Sequence, residues 1–218
     1  MTLEQLAAIP ARTERVERPP EEYLPMQSLT RELAFDPAAW TAARQEKVHA
    51  LFEGLAGEWH TRDSKERRRP LLDALERGGV ARGGRCVEIG SGTGIHTAFL
   101  VGHFSHVTSV DISSEMLRLA PRRGQVSLVR ADATRLPVAT GSLDAVACVN
   151  AFLFPFEYAR VLRSDGCVIF VSVNGDRTPI YLSPGDVLAA LETFLGSCKA
   201  VTSKEGWGTW TVVRKATA

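Results

Sequence analysis

A glycine-punctuated turn at residues 90–94 is the part of this 218-residue chain best suited to chemistry. Three glycines alternate there with Ser91 and Thr93, directly after an apolar run at 85–89 that carries the acid Glu88. Glycine adopts backbone conformations that bring bare N–H groups close to a ligand, and a segment with helical spacing follows the turn. The pattern predicts a strand, a tight turn and a helix start that together hold a small ligand.

Polar side chains also follow the next three predicted strands. Asp111 lies where an acid can accept two hydrogen bonds from a ribose diol. Asp132 and Ala133 follow the strand after it, where an acid can accept from the exocyclic amine of adenine, and Asn150 ends the fourth strand. Each acid has a local alternative, because Asp111 could cap the next helix and Asp132 could cap a turn. Their positions at successive strand ends favour a shared nucleoside site.

The glycine spacing distinguishes between classes of nucleotide site. The dinucleotide fingerprint requires a small residue three positions after Gly92, and Ile95 is too large for that role. A mononucleotide phosphate loop requires a Gly-Lys-Ser/Thr ending, and no lysine lies near the turn. Glu88 would repel a pyrophosphate and attract a cation. The turn therefore favours a cationic ligand, such as a sulfonium that carries an α-amino group.

Short apolar runs alternate with helical segments and would position these residues. Strands are predicted at 85–89, 106–111, 126–130, 143–149, 167–173, 198–204 and 209–214. Helices are predicted between them near 95–102, 114–120, 156–162 and 184–195. This alternation predicts an α/β fold with a mostly parallel sheet of seven strands and helices on both faces. The last two strands are joined by a short turn at 205–208, which makes them an antiparallel hairpin.

The residues before this sheet have a different composition and predict no alternation of strands and helices. Residues 1–35 are rich in Pro, Arg and Glu and predict a loosely ordered N-terminal arm. Residues 36–84 predict a helical lid with two helices, the second near 64–77. Residues 85–218 would then form the ligand-binding domain.

Composition and charge argue against several classes of protein. The net charge of +1 lacks the basic excess of most nucleic-acid binders, and the arginine cluster at 67–69 is interpreted as a solvated helix face. The four cysteines form no CxxC pair, so we expect free thiols in a reducing compartment and no metal site. The first residues lack a signal-peptide pattern, and no apolar run could span a bilayer. We expect a cytoplasmic protein with no nucleic-acid or membrane partner.

Taken in order, these motifs resemble those of the class I S-adenosylmethionine-dependent methyltransferases. The resemblance covers about residues 50–214 and is carried by the segments 87–94, 110–113, 131–137, 157–162 and 166–170. It implies a Rossmann-like sheet of the kind predicted above, with an N-terminal helical extension and S-adenosylmethionine as cofactor.

The resemblance also implies roles for individual residues. Glu88 and the backbone of 90–94 would hold the methionine part, and Asp111 would bind the ribose. Asp132 with Ala133 would contact the adenine, and Asn150 would lie beside the methionine part or the substrate. The predicted cofactor-binding residues are Trp59, Glu88, Gly90, Ser91, Gly92, Gly94, Asp111, Ile112, Asp132, Ala133 and Asn150.

Trp59 belongs to that set through a second resemblance. Segment 51–59 is similar to the N-terminal helix of small-molecule methyltransferases of the quinone-biosynthesis type, in which an aromatic residue approaches the cofactor. The alternative is that Trp59 only packs this helix on the domain.

The implied function is methyl transfer to a small-molecule acceptor by in-line displacement. An apolar segment after Asn150 replaces an Asn-Pro-Pro-Tyr-type motif, which disfavours methylation of nucleobase or glutamine amino groups. The near-neutral charge disfavours an RNA acceptor. His60, His96 and His103 are candidate general bases, and no catalytic residue is predicted.

Two other functions stay open on the sequence. One is an NAD-dependent oxidoreductase, which Ile95 disfavours. The other is a regulatory domain that binds the cofactor without catalysis. Aromatic residues such as Phe152 and Phe154 are consistent with a hydrophobic acceptor and equally with core packing.

Overall fold

The computed structural model describes residues 2–15 and 19–216 and contains a single mixed sheet of eight strands. In chain order the strands are β1 (Thr2–Gln5), β2 (Arg85–Ile89), β3 (His106–Asp111), β4 (Val126–Arg130), β5 (Leu143–Val149), β6 (Leu162–Ser172), β7 (Cys198–Glu205) and β8 (Gly208–Lys215). Their order across the sheet is β1-β7-β8-β6-β5-β2-β3-β4. Strand β8 is antiparallel to β6 and β7, and the remaining pairs are parallel. The predicted sheet and its terminal hairpin are confirmed, with one strand more than the seven expected.

Helices cover both faces of this sheet. They are α1 (Leu24–Phe35), α2 (Ala42–Leu55), α3 (Lys65–Arg77), α4 (Thr97–Val101), α5 (Ser114–Leu119), α6 (Pro155–Val161) and α7 (Pro184–Leu195). Short 3-10 helices lie at Pro20–Glu22, Pro37–Ala39, Ala56–Arg62 and Gly175–Arg177. The hydroxyl groups of Ser64 and Ser183 accept backbone N–H groups in the first turns of α3 and α7, so serine caps begin both helices.

The core consists of two apolar clusters, one on each face of the sheet. Strand β5 contributes to both, because Val146 and Cys148 belong to one cluster while Ala145 and Ala147 belong to the other. Helices α1, α6 and α7 complete the first cluster, and α3 and α4 complete the second. A strand buried on both faces carries an almost continuous apolar run, as β5 does.

The predicted loosely ordered arm at 1–35 is wrong for the described residues. Thr2–Gln5 forms the edge strand β1, which pairs in parallel with β7. Leu24–Phe35 forms α1, in which Leu33 and Ala34 are each 1% exposed. Residues 1 and 16–18 of the predicted arm lie outside the described part of the chain.

Helix α3, predicted as part of the lid, packs against the sheet. Its Asp73 accepts a hydrogen bond of 2.6 Å from Nε1 of Trp210 on β8. The same carboxylate pairs with Arg77, one turn further along α3. This helix therefore belongs to the body of the fold.

Three observations on the described residues bear on the sequence expectations. None of their helices combines the length and apolar character needed to cross a membrane. No three of their His, Cys, Asp and Glu side chains come together as metal ligands. All four cysteines are buried and free.

Candidate active site

A cavity of about 1010 Å³, its open mouth included, lies at the carboxyl ends of β2, β3 and β5. We call it the main cavity. Ten of the eleven predicted residues line it, namely Trp59, Glu88, Gly90, Ser91, Gly92, Asp111, Ile112, Asp132, Ala133 and Asn150. Gly94 does not line it and instead shapes the turn, with a φ of +77°.

The glycine turn presents bare backbone to this cavity. Gly90 and Gly92 adopt φ values of +61° and +55°, which favour glycine. A Cβ on Gly90 would lie 3.0 Å from Cβ of Ala151, and one on Gly92 would lie 3.0 Å from Nε1 of Trp59. The hydroxyl of Ser91 is buried and makes no hydrogen bond within the described residues. This cradle fits a polar ligand whose own donors or acceptors meet Ser91 and the turn.

Glu88 lies beneath the turn and is 2% exposed. Its Oε2 accepts hydrogen bonds from Oγ1 of Thr97 at 2.6 Å and from Oγ of Ser109 at 2.9 Å. Burial raises the pKa of Glu88 to about 7, although these two hydrogen bonds oppose the shift. A cationic ligand in the cavity would therefore stabilise the ionised form.

We expect the titration of Glu88 to be measurable as a pH-dependent stability. Between its ordinary pKa of 4.5 and its folded pKa of about 7, the native carboxyl keeps a proton that the unfolded chain has released. This contribution to the free energy of unfolding falls as the pH rises. Burial lowers the pKa of His96 to about 4. Its contribution to the free energy of unfolding therefore rises with pH between about 4 and 6.5, and it partly masks the contribution of Glu88.

The Glu88→Gln variant separates the two contributions. The free energy of unfolding is measured by urea denaturation without ligand for this variant and for wild type. The value for Glu88→Gln minus the value for wild type should increase by about 3 kcal/mol from about pH 4.5 to about pH 7.5. The exposed Glu46→Gln is the control and should leave the pH profile unchanged. Parallel profiles for Glu88→Gln and wild type would contradict the burial of a titrating carboxyl.

Asp111 connects the end of β3 to the glycine turn. Its Oδ2 accepts the N–H of Gly92 at 2.7 Å, and its Oδ1 accepts the N–H of Ser113 at 2.9 Å. Burial raises the pKa of Asp111, and the backbone hydrogen bonds oppose that shift. The cap of α5 is Ser113, whose hydroxyl accepts the N–H of Met116 at 3.1 Å. Asp111 is therefore not the cap of α5, and its carboxylate lines the main cavity, where it can also accept a hydrogen bond from a ligand.

Asp132 combines a turn role with a contact to the N-terminal helices. Its Oδ1 accepts the N–H of Thr134 at 2.9 Å, which is the expected local turn. Both carboxylate oxygens also lie 3.1 Å from Nε1 of Trp40, and Oδ2 accepts from Nε2 of Gln45. In this conformation the segment before α3 covers the predicted adenine position.

Sequence reasoning missed Trp40 and Gln45 as site residues. The ring centroid of Trp40 lies 5.8 Å from that of Phe152 and 5.5 Å from that of Phe154, so the three form an aromatic wall. In the sequence, Trp40 is only the first of several apolar residues at roughly helical spacing. No local pattern reveals that a residue before α2 meets the end of β4.

Asn150 lies where the main cavity meets a second one. It has a φ of +52°, which is uncommon for a residue other than glycine and often marks a functional position. Its Oδ1 accepts the N–H of Val173 at 2.9 Å, which holds the side chain in place. We call the second cavity the side chamber. It spans about 730 Å³, its open mouth included. Its lining shares six residues with that of the main cavity, namely Phe52, Trp59, Arg62, Arg67, Asn150 and Ile180.

The three candidate histidines differ in their position relative to the main cavity. His96 lines the main cavity, and its Nδ1 is buried without a hydrogen bond to the described residues. Burial, followed by the charge of Arg67, lowers the pKa of His96 to about 4, so it is neutral near pH 7. Nε2 of His103 instead lies 3.2 Å from the carbonyl oxygens of Val80 and Ala81. Neither His103 nor His60 lines the main cavity.

Comparisons with known proteins agree with this geometry. Residues 86–166 match a family model described as a methyltransferase domain. A demethylmenaquinone methyltransferase from Beutenbergia cavernae is 42% identical over 147 residues, which cover 62% of this chain and 58% of that protein. Another from Clavibacter sepedonicus is 40% identical over 109 residues, covering 45% of this chain and 44% of that protein. The chain thus spans about half the length of the curated relatives it matches.

A solved structure supports the fold. The DhpI–SAH complex has a TM-score of 0.64 at 22% identity and covers 80% of this chain and 98% of that one. The sheet order, the glycine turn and the acids at successive strand ends define a Rossmann-like fold with a cavity at the carboxyl ends of its parallel strands. Residues 86–166, which match the methyltransferase domain, make this part of the chain similar to the class I S-adenosylmethionine-dependent methyltransferases.

Proposed function

We propose that this protein is an enzyme that transfers a methyl group from S-adenosylmethionine to a small-molecule acceptor. The observation that carries the proposal is the main cavity, where ten residues predicted from sequence surround one space at the carboxyl ends of parallel strands. Ligands of doubly wound sheets bind at this edge.

The residues around the main cavity fit the parts of the cofactor. Asp111 would accept the ribose hydroxyls, and Asp132 with Ala133 would contact the adenine. The cradle at Gly90 and Gly92 would hold the methionine part, with its ammonium group near the buried Glu88. The aromatic wall of Trp40, Phe152 and Phe154 supplies apolar surface for the adenine ring.

The chemistry requires positioning and exclusion of water more than proton transfer. When bound, S-adenosylmethionine supplies a methyl group on a sulfonium, which is already a good leaving group. The protein's part is to align the acceptor with that methyl, which can account for much of the rate enhancement. We propose that segment 36–62 is the lid that keeps water out, because Trp40, Val48 and Trp59 close the cavity from that side.

The acceptor is proposed to have an aromatic or apolar body. Support comes from the demethylmenaquinone methyltransferases among the relatives and from the aromatic wall. We also propose a cytoplasmic location without a nucleic-acid or membrane partner, supported by the four free thiols and the near-neutral charge.

Calorimetry with S-adenosylhomocysteine and with NAD tests the cofactor. We expect micromolar or tighter binding of S-adenosylhomocysteine, a Kd at or below about 1 μM corresponding to about −8 kcal/mol. No binding of NAD is expected, because Glu88 lies beneath the turn that would receive its pyrophosphate. Binding of NAD alone would favour the oxidoreductase.

A turnover assay tests catalysis itself. S-adenosylmethionine is incubated with the protein and a panel of phenolic, quinol and amine acceptors, and formation of S-adenosylhomocysteine is followed. Acceptor-dependent product would support the enzyme. Tight cofactor binding with no product from any acceptor would instead favour the regulatory domain.

A further inference from the structure

The side chamber is lined by positively charged and not by negatively charged side chains. Three arginines line it, Arg62, Arg67 and Arg177, and the described lining residues include no aspartate or glutamate. The main cavity shares Arg62 and Arg67 with it, but also carries Glu88, Asp111 and Asp132. The side chamber is therefore better suited than the main cavity to a negatively charged ligand group.

The three guanidinium groups come from separate elements that converge on the chamber. Arg62 ends the 3-10 helix Ala56–Arg62, Arg67 lies in the first turn of α3, and Arg177 ends the 3-10 helix after β6. A solvated helix face does not explain why Arg67 lines the same chamber as Arg177, which is more than a hundred positions away in sequence. The convergence therefore corrects the interpretation of cluster 67–69 as a solvated helix face, as far as Arg67 is concerned.

Arg62 is held against the chamber wall rather than extended into solvent. Its guanidinium carbon lies 4.6 Å from the ring centroid of Trp59. Its ion-pair partner Glu58, at 3.2 Å, has a side chain that is 61% exposed. An exposed pair of this kind contributes little and leaves the inward donors of Arg62 able to meet a ligand.

The rest of the chamber has a mixed lining. Apolar walls come from Met26, Leu51, Leu55, Pro179 and Ile180, and polar groups come from Asn150, Asn174 and Thr178. Arg67 also lies close enough to His96 to be, after burial, the main cause of its low pKa. The low pKa keeps His96 neutral near pH 7, so it adds no charge to the junction of the two spaces.

From this arrangement we infer that the side chamber binds an acceptor with an apolar body and one anionic oxo group, a carboxylate or a phosphate, which the three arginines hold. Guanidinium groups recognise such oxyanions by paired, charge-assisted hydrogen bonds. Asn150 and Trp59 line both spaces, so the body of the acceptor would cross this junction towards the methionine end of the main cavity. The inference rests on the proposed methyl transfer, whose acceptor it describes.

Binding of matched probes tests the inference. Salicylate, salicylamide and phenyl phosphate are titrated by calorimetry into the protein, both ligand-free and saturated with S-adenosylhomocysteine. We expect salicylate or phenyl phosphate to bind at least about tenfold more tightly than salicylamide. The Arg62→Gln and Arg177→Gln variants should each lose most of this preference.

The controls separate this inference from the proposed function. Arg118→Gln, an exposed arginine paired with Glu115 on α5, should keep the preference. Thermal melting shows whether each variant is folded, and Arg177→Gln, whose arginine does not line the main cavity, should also keep its affinity for S-adenosylhomocysteine. Equal binding of salicylate and salicylamide, no binding of any probe, or a preference that survives both chamber variants would overturn the inference. Failure of S-adenosylhomocysteine to bind wild type would count against the proposed function. The titrations of the ligand-free protein would still show whether the side chamber binds the anionic probes.

Discussion

Gly92→Val is expected to abolish measurable binding of S-adenosylhomocysteine. Gly92 has a φ of +55°, and a Cβ there would lie 3.0 Å from Nε1 and 3.4 Å from Cδ1 of Trp59. A residue with a Cβ costs about 1–2 kcal/mol in this conformation, and a β-branched one is less suited still. The added methyl groups would also occupy the face of the turn that is proposed to receive the methionine part.

A second glycine provides the matched control. Gly141 has a φ of +61°, but an added Cβ would meet nothing within 4 Å, and it does not line the main cavity. Gly141→Val should therefore bear a similar backbone cost and keep its affinity within about twofold. Calorimetry measures the affinity of both variants for S-adenosylhomocysteine, and thermal melting shows whether they are folded. If Gly92→Val does not fold, Gly92→Ala replaces it in the comparison. A folded Gly92 variant that binds as tightly as wild type would contradict the assignment of the turn.

Asp111→Ala should give the second large loss. If the two carboxylate oxygens accept the two ribose hydroxyls, the variant forfeits two hydrogen bonds to a charged group, each worth about 1.5–3 kcal/mol. That corresponds to about 10²- to 10⁴-fold in affinity for S-adenosylhomocysteine. The variant also leaves the N–H groups of Gly92 and Ser113 without their acceptor, which loosens the turn.

Asp144 at the amino end of β5 allows a matched comparison. It accepts the N–H of Arg85 at 2.7 Å and pairs with Arg163, but it lies outside the main cavity. Asp144→Ala should lower the melting temperature without changing the Kd in calorimetry. If the Asp111 and Asp144 variants bound S-adenosylhomocysteine with similar affinity, the proposal that Asp111 binds the ribose would be contradicted.

Local patterns were sufficient for the centre of the fold. The glycines of the turn, the apolar run of β5 and the short turn before β8 each depend on neighbours in sequence, and the structure confirms the elements they predicted. The acids at strand ends were predictable because parallel strands bring their carboxyl ends to one edge. Their joint position around the main cavity followed from topology alone.

Long-range contacts account for what the sequence did not reveal. The side chains of β1 are all exposed, so Thr2–Gln5 has no alternation to indicate a strand, and only its backbone pairing with β7 defines it. Trp40 reaches Asp132 across 92 positions, and no spacing rule connects them. Arg177 meets Arg62 at the side chamber for the same reason, since the fold of the chain rather than any local pattern brings them together.

The pairing of β1 with β7 also has a consequence for the order of assembly during synthesis. Strand β1 pairs with Lys199–Thr202, a segment that is synthesised long after it. Contacts between such distant segments form late because the loop between them must first be closed. Strand β1 therefore stays unpaired until β7 has been translated. Its docking would be the final step that covers the open edge of the sheet.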